Sequence, residues 1–388
     1  MKKRFLSAGL AVVMAASLTA CGGSGSASTT TAAAGEAKAE GESKAAESSA
    51  AADGASFKIG GIGPVTGGAA VYGLAVQHGA EIAVKEINEA GGINGYPVEF
   101  QFQDDEHDAE KSVNAYNTLK DWGMQVLMGT VTSAPCIAVA DKTAADNMFQ
   151  ITPSGSAVEC AANPNVYRVC YSDPAQGTAS AKYIGEHKLA SKVAVIYDSS
   201  DVYSSGIYEK FAQEAPNQGI EVVDAEAFTA DSNKDFSTQL QKAKESGAEL
   251  VFLPIYYTEA SLILQQANTM GFAPQFFGCD GMDGILQVQN FDVKLAEGLM
   301  LLTPFAADAT DDLTVKFVKS FEDAYGETPI QFAADAYDAM YIIKAAMEEA
   351  NVTPDMAVGD ICDAMEGAMT KIKVDGLAGT NMTWTEDG

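Results

Sequence analysis

Residues 57–102 read FKIGGIGPVTGGAAVYGLAVQHGAEIAVKEINEAGGINGYPVEFQF, and the fold is decided there. Residues 57–62 read as a strand that ends at Gly63-Pro64. Residues 72–90 carry Leu74, Val76, Ile82, Ala83 and Ile87 at helical spacing. Gly91-Gly92-Ile93-Asn94-Gly95 stops that helix. Residues 98–102 then alternate as a second strand. Strand, loop, helix, turn and strand in that order form the unit of a parallel sheet covered by helices.

The alternation continues downstream. Helices are predicted over 109–122 and 134–145, and strands over 125–128 and 149–151. A second series opens at Lys192, with strands over 193–197, 220–223 and 250–254 and helices over 205–215, 236–245 and 259–270. Two series predict an α/β protein of two doubly wound parallel-sheet lobes.

Upstream of Phe57 the sequence is an address and a tether. Residues 1–4 carry three positive charges, and residues 5–18 are apolar or small. That pattern is a secretory signal, too short for a stable membrane span. It ends in Leu18-Thr19-Ala20-Cys21, which resembles the lipobox of bacterial lipoproteins, where cleavage precedes the Cys and the Cys receives lipid. Residues 1–20 are thus expected as a lipoprotein signal peptide and Cys21 as the lipidation site. Residues 22–55 consist only of Gly, Ser, Ala, Thr, Glu, Lys and Asp. They cannot build a core and are expected as a flexible tether. Its r.m.s. reach would be roughly 30–35 Å. Several acyl chains on Cys21 hold where a single chain would not.

Charge narrows the partners. With 24 Lys plus Arg and 53 Asp plus Glu, the formal net charge is −29. Phosphate backbones need clustered positive charge, so nucleic acid is excluded. An acidic body is also repelled by anionic lipid, so membrane contact is expected only at the anchor. The 3 His residues are scattered, which argues against a His-built metal or acid–base centre. Asp104-Asp105-Glu106-His107-Asp108 lacks a calcium-loop pattern and reads as a strand end followed by an acidic helix start. Gly61, Gly63 and Gly67 are spaced one residue too long for a dinucleotide loop, and Pro64 lies among them. No Walker motif and no G-x-S-x-G elbow occurs, so neither a cofactor nor an enzyme is expected. Besides Cys21 there are Cys136, Cys160, Cys170, Cys279 and Cys362. Cys160 and Cys170 are the closest pair. A disulfide between them and a set of free buried thiols both fit export.

In open parallel sheets, ligands bind beyond the carboxyl ends of the strands. The loops at those places hold Tyr72, Ser133, Ser156, Tyr203, Tyr256 and Asp280. This set suits a free amino acid. Hydroxyls and helix-start N–H groups, as at Ser133 and Ser156, meet a carboxylate. A buried acid, Asp280, meets an ammonium group. The tyrosines wall the space between.

The stretch from Phe57 to about Trp384 resembles the leucine/isoleucine/valine-binding proteins of bacterial ABC importers, with the type I periplasmic-binding fold. The resemblance is carried by Gly63-Pro64-Val65-Thr66-Gly67 with Tyr72-Gly73, by Gly79-Ala80, Ala83-Val84 and Ile87-Asn88, and by Gly91-Gly92-Ile93-Asn94-Gly95. Asp104-Asp105, Ile151-Thr152-Pro153, Lys234-Asp235-Phe236-Ser237 and Gly278 extend it in order. It implies that Ser133, Ser154 and Ser156 hold the ligand α-carboxylate and neighbouring backbone contacts, that Tyr203 and Tyr256 line the pocket, and that Asp280 takes the α-ammonium. Tyr72 and Phe332 match side-chain-pocket positions. Asp280 is one methylene shorter than the family's usual Glu, and Ser154 and Ser156 stand where Ala and Thr are common. These departures leave the zwitterion clamp in place and the choice of amino acid open.

The resemblance further implies hinge closure of lobe 1 (residues 56–170 with 304–388) on lobe 2 (residues 171–303). The hinge segments are expected near residues 169–172 and 302–304. An ABC permease is the expected partner of a monomeric, extracytoplasmic, lipid-anchored receptor. The alternative is a sensor domain for an amino acid or related metabolite with no transport role. The family continues beyond the region of Gly388 into one more strand and a third interlobe crossing. A chain ending there is expected to have a weaker hinge.

Overall fold

The computed structural model describes residues 54–386 and 388. The signal, Cys21 and nearly all of the tether lie outside those residues.

The first sheet is built from β1 (Phe57–Gly63), β2 (Val98–Asp104), β3 (Val126–Gly129), β4 (Gln150–Thr152) and β5 (Val166–Arg168). The strands are all parallel, in the order β2-β1-β3-β4-β5. Helices α1 (Ala70–Glu89), α2 (Ala109–Trp122) and α3 (Ser133–Asp146) connect them. The chain then crosses over and forms α4 (Asp173–Glu186), β6 (Lys192–Asp198), α5 (Val202–Glu214), β7 (Glu221–Phe228), α6 (Ser237–Glu245), β8 (Leu250–Leu253), α7 (Tyr257–Thr269), β9 (Gln275–Gly278) and β10 (Met300–Leu301). Its strands are parallel in the order β10-β9-β8-β6-β7. Three further helices follow, α8 (Asp312–Tyr325), α9 (Gln331–Glu349) and α10 (Val358–Met369). They return to the first sheet, where α9 lies along α1 and touches β3 and β4. The two doubly wound parallel sheets expected from the sequence are therefore present.

Local chemistry explains the element ends. Asp108 caps α2 by accepting from Glu110 N and Lys111 N, both at 2.9 Å. Gly123 ends that helix in the left-handed region, at φ 92°. Small residues let α1 and α9 approach closely: a Cβ on Gly79 would stand 2.1 Å from the Ala333 carbonyl oxygen. Ala333, Ala334, Ala336 and Ala339 of α9 are fully buried.

Some expectations are corrected. The strand expected over 220–223 runs from Glu221 to Phe228. Strand β5 and helix α4 were not anticipated. Cys160 and Cys170 remain separate buried thiols, as do the other described cysteines, so the disulfide between them is not formed. The extended strand β5 runs between the two and carries Cys170 onward to the crossing. Cys160 instead shares an apolar cluster with Cys136, and its thiol donates to the Ser133 carbonyl at 3.6 Å.

The lobes meet through direct bonds. The Tyr72 hydroxyl donates to the Gly281 carbonyl and accepts from Tyr257 N at 3.2 Å. Thr258 Oγ1 donates to the Gly68 carbonyl at 2.8 Å, and Gln331 N donates to Asp283 Oδ2 at 2.8 Å.

Candidate functional site

Tyr72, Ser133, Ser154, Ser156, Tyr203, Tyr256 and Asp280 lie past the carboxyl ends of β1, β3, β4, β6, β8 and β9. Phe332 enters from the first turn of α9. All eight line one cavity, together with Val131, Thr132 and Gly281.

The first-lobe side is a web of neutral donors and acceptors. Thr132 is the N-cap residue of α3 but makes no side-chain cap bond, and Ser133 is the first helical residue. The Ser133 hydroxyl oxygen accepts from Ser156 N and Ala157 N, both at 3.2 Å. Two N–H groups on its lone pairs leave its own proton to donate, which suits an anion. The Ser154 proton is committed to the Val131 carbonyl at 2.7 Å. Ser154 is therefore an acceptor toward the cavity.

The second-lobe side is charged. Asp280 Oδ1 accepts from the Tyr203 hydroxyl at 2.7 Å and from Gly281 N at 2.7 Å, while Oδ2 accepts from Gln176 Nε2 at 3.0 Å. Burial nonetheless pushes its carboxyl up to about 6. A cation placed beside it would restore the charged form. Gly281 is required where it stands, since a Cβ would come within 2.6 Å of the Tyr203 hydroxyl oxygen and 3.0 Å of the Tyr256 ring. Between the poles lie rings. Tyr72 stacks on Phe332 at 4.2 Å between centroids, and Tyr203 stacks on Tyr256 at 5.0 Å. With the lobes so closed, the cavity is about 10 Å³. That is room for about one water.

Sequence reading missed several neighbours. Gln176 and Asp173 both sit on the first turn and a half of α4. Asp173 is buried, and burial pushes its carboxyl up to about 8. His107 Nδ1 lies 2.8 Å from Thr132 Oγ1, and its ring meets Tyr256 edge-on at 5.5 Å. Behind that edge is a second cavity of about 200 Å³ lined by Glu106, His107, Asp198, Asp201 and Glu259, with Tyr256 shared between the two. Among the described residues, no group of three or more His, Cys, Asp and Glu is arranged to hold a metal ion.

Residues 56–388 match the family model described as periplasmic binding protein. The chain belongs to that family. This periplasmic binding protein is 32% identical over 305 residues to a Leu/Ile/Val-binding protein homolog of Brucella melitensis, covering 78% of this chain and 82% of the relative. It is 30% identical over 297 residues to the leucine-, isoleucine-, valine-, threonine- and alanine-binding protein of Pseudomonas aeruginosa, covering 76% and 79%. Among solved structures it is similar to the branched-chain amino acid transporter substrate-binding protein of Streptococcus pneumoniae, captured with isoleucine. That similarity has a TM-score of 0.77 at 26% identity, and spans 86% of this chain and 92% of that one. Family membership makes this chain an extracytoplasmic binding protein and not an enzyme.

Proposed function

We propose that this periplasmic binding protein captures a free amino acid, foremost leucine, isoleucine or valine, and delivers it to the membrane permease of an ABC importer. One observation carries the reading. Neutral hydroxyl and N–H donors from one lobe and a buried carboxylate from the other face a single cavity. A zwitterion is the ligand whose two charges both find partners there, so neither is buried alone. The relatives named for branched-chain amino acids support the choice of side chain.

Lobe 1 is residues 56–170 with 304–388, lobe 2 is residues 171–303, and the protein works by hinge closure as a monomer. Ligand settles first on the hydroxyl-rich lobe, and the Asp280 lobe then closes over its ammonium. Cys21 carries the lipid, and residues 22–55 let the body stand off the outer face of the cytoplasmic membrane.

A thermal-shift screen of the twenty amino acids, followed by calorimetry, tests this. Ligand at 100 times its Kd should add about 2.7 kcal/mol of stability. The expected result is a clear shift with leucine, isoleucine or valine. No shift with any amino acid, alongside a shift with an uncharged sugar, would overturn the reading.

A further inference from the structure

Arg168 is the only arginine in the sequence after Arg4. It ends strand β5, and its guanidinium does not line the clamp. Instead it collects three successive carbonyls. Nη1 donates to Ser156 O at 3.0 Å and to Ala157 O at 3.1 Å, and Nη2 donates to Val158 O at 3.2 Å.

The peptide joining Ser156 to Ala157 is the decisive unit. Its carbonyl is held by Arg168, and its N–H is the Ala157 donor that reaches Ser133 Oγ. A peptide is planar and trans, so its C=O and N–H point to opposite edges. Fixing the carbonyl edge on a rigid fork therefore aims the N–H edge at Ser133. The same carbonyl also accepts from Asp173 N at 3.0 Å, and Asp173 begins α4 at the far end of the first crossing. One peptide plane thus touches the carboxylate-facing serine, the end of β5 before the crossing and the helix after it.

We propose that Arg168 is a positioning residue for the ligand's carboxylate. It aims the Ala157 N–H at Ser133 Oγ, beside the Ser156 N–H that Ser133 also accepts, so that the serine presents its own proton to the anion, and it ties that arrangement to the interlobe crossing. The proposal rests on the amino-acid reading of the clamp. A lysine offers one point of charge instead of a planar fork and cannot hold three carbonyls in this geometry. The outer side of Arg168 faces an open groove of about 520 Å³, lined also by Glu159 and Asn163, so substitution leaves the cores intact.

The test uses the full chain with Arg168→Lys and Arg168→Gln. Amide hydrogen exchange on peptides spanning residues 154–160 is measured without ligand, with β6 and β8 as internal controls. Exchange should quicken at least tenfold in the Gln variant at 154–160 and stay unchanged in the controls. Calorimetry then compares L-leucine with L-leucinamide, which keeps the ammonium and lacks the carboxylate. The preference for leucine should shrink at least tenfold in the Gln variant and only partly recover in the Lys variant. A purely structural brace would weaken both ligands together and preserve their ratio, and that outcome overturns the proposal. Unchanged exchange overturns it as well. If wild-type protein binds neither probe, the amino-acid reading fails on that titration alone, and the exchange arm still decides whether Arg168 orders the loop.

Discussion

On the first lobe, the polar groups at the cavity belong to serines already bonded to the neighbouring backbone, as where Ser133 accepts from Ser156 N and Ala157 N. On the second, the facing group is a carboxylate wrapped by Tyr203, Gln176 and Gly281, and burial still makes it a weaker acid than usual. The neutral pole can be buried at little cost, because its hydrogen bonds close on themselves except at the Ser133 proton. The acidic pole cannot, because three donors do not replace full hydration. The closing force should therefore come from the ammonium meeting Asp280, whereas the hydroxyl pole supplies shape and register.

The largest break in that asymmetry is Asp280→Ala. It leaves the ligand's ammonium buried without a partner and is expected to cost roughly 3–5 kcal/mol of affinity. Titration calorimetry reads this directly, and unchanged affinity would remove Asp280 from the site. Next comes Ser133→Ala, which strands two N–H groups and takes a donor from the carboxylate. A loss of about 1–3 kcal/mol is expected. A loss equal to that of the Asp280 variant would show that the poles contribute alike.

Acidity sharpens the comparison further. The Asp280 carboxyl has its ordinary value of 3.8 raised to about 6, so below about pH 6 the unliganded protein holds a proton that an incoming ammonium must displace. Affinity for leucine should fall about tenfold per pH unit below that point and level off above it. In Asp280→Asn the slope should flatten, leaving only what Asp201, itself raised to about 6 by burial beside Tyr256, contributes; an unchanged slope would assign the proton elsewhere. The smallest effect is expected from Ser154→Ala. It removes the bond to the Val131 carbonyl and should lower stability by about 1 kcal/mol, with affinity nearly unchanged. Thermal unfolding and calorimetry on the same sample separate the two.

Much of this was legible in the sequence, for physical reasons that can be named. Strand ends in parallel sheets are where ligands gather, so Ser133, Ser156, Tyr203, Tyr256 and Asp280 could be picked by position. Helix α4 was not legible. Its first half, Asp173-Pro174-Ala175-Gln176-Gly177, carries no apolar stripe, because it packs through small residues and polar contacts. Gln176 and Asp173 were hidden with it. Strand β5 has only three residues, too few to show a period. His107 gave no signal, since a lone histidine in an acidic run looks like solvent-facing loop until Thr132 and Tyr256 are brought against it. Of the two cysteine readings the structure shows the free buried thiols, since nearness along the chain is no guide to pairing once an extended segment runs between two residues.

The Tyr72 hydroxyl joins the two lobes through Gly281 and Tyr257 while its ring lies on Phe332. Any cargo with a side chain must part those contacts before it can be enclosed. Loading is then gated by the protein's own unlatching. In a rapid-mixing experiment the observed association rate would climb with amino-acid concentration and reach a plateau at the unlatching rate, in the microsecond-to-millisecond range of domain motions.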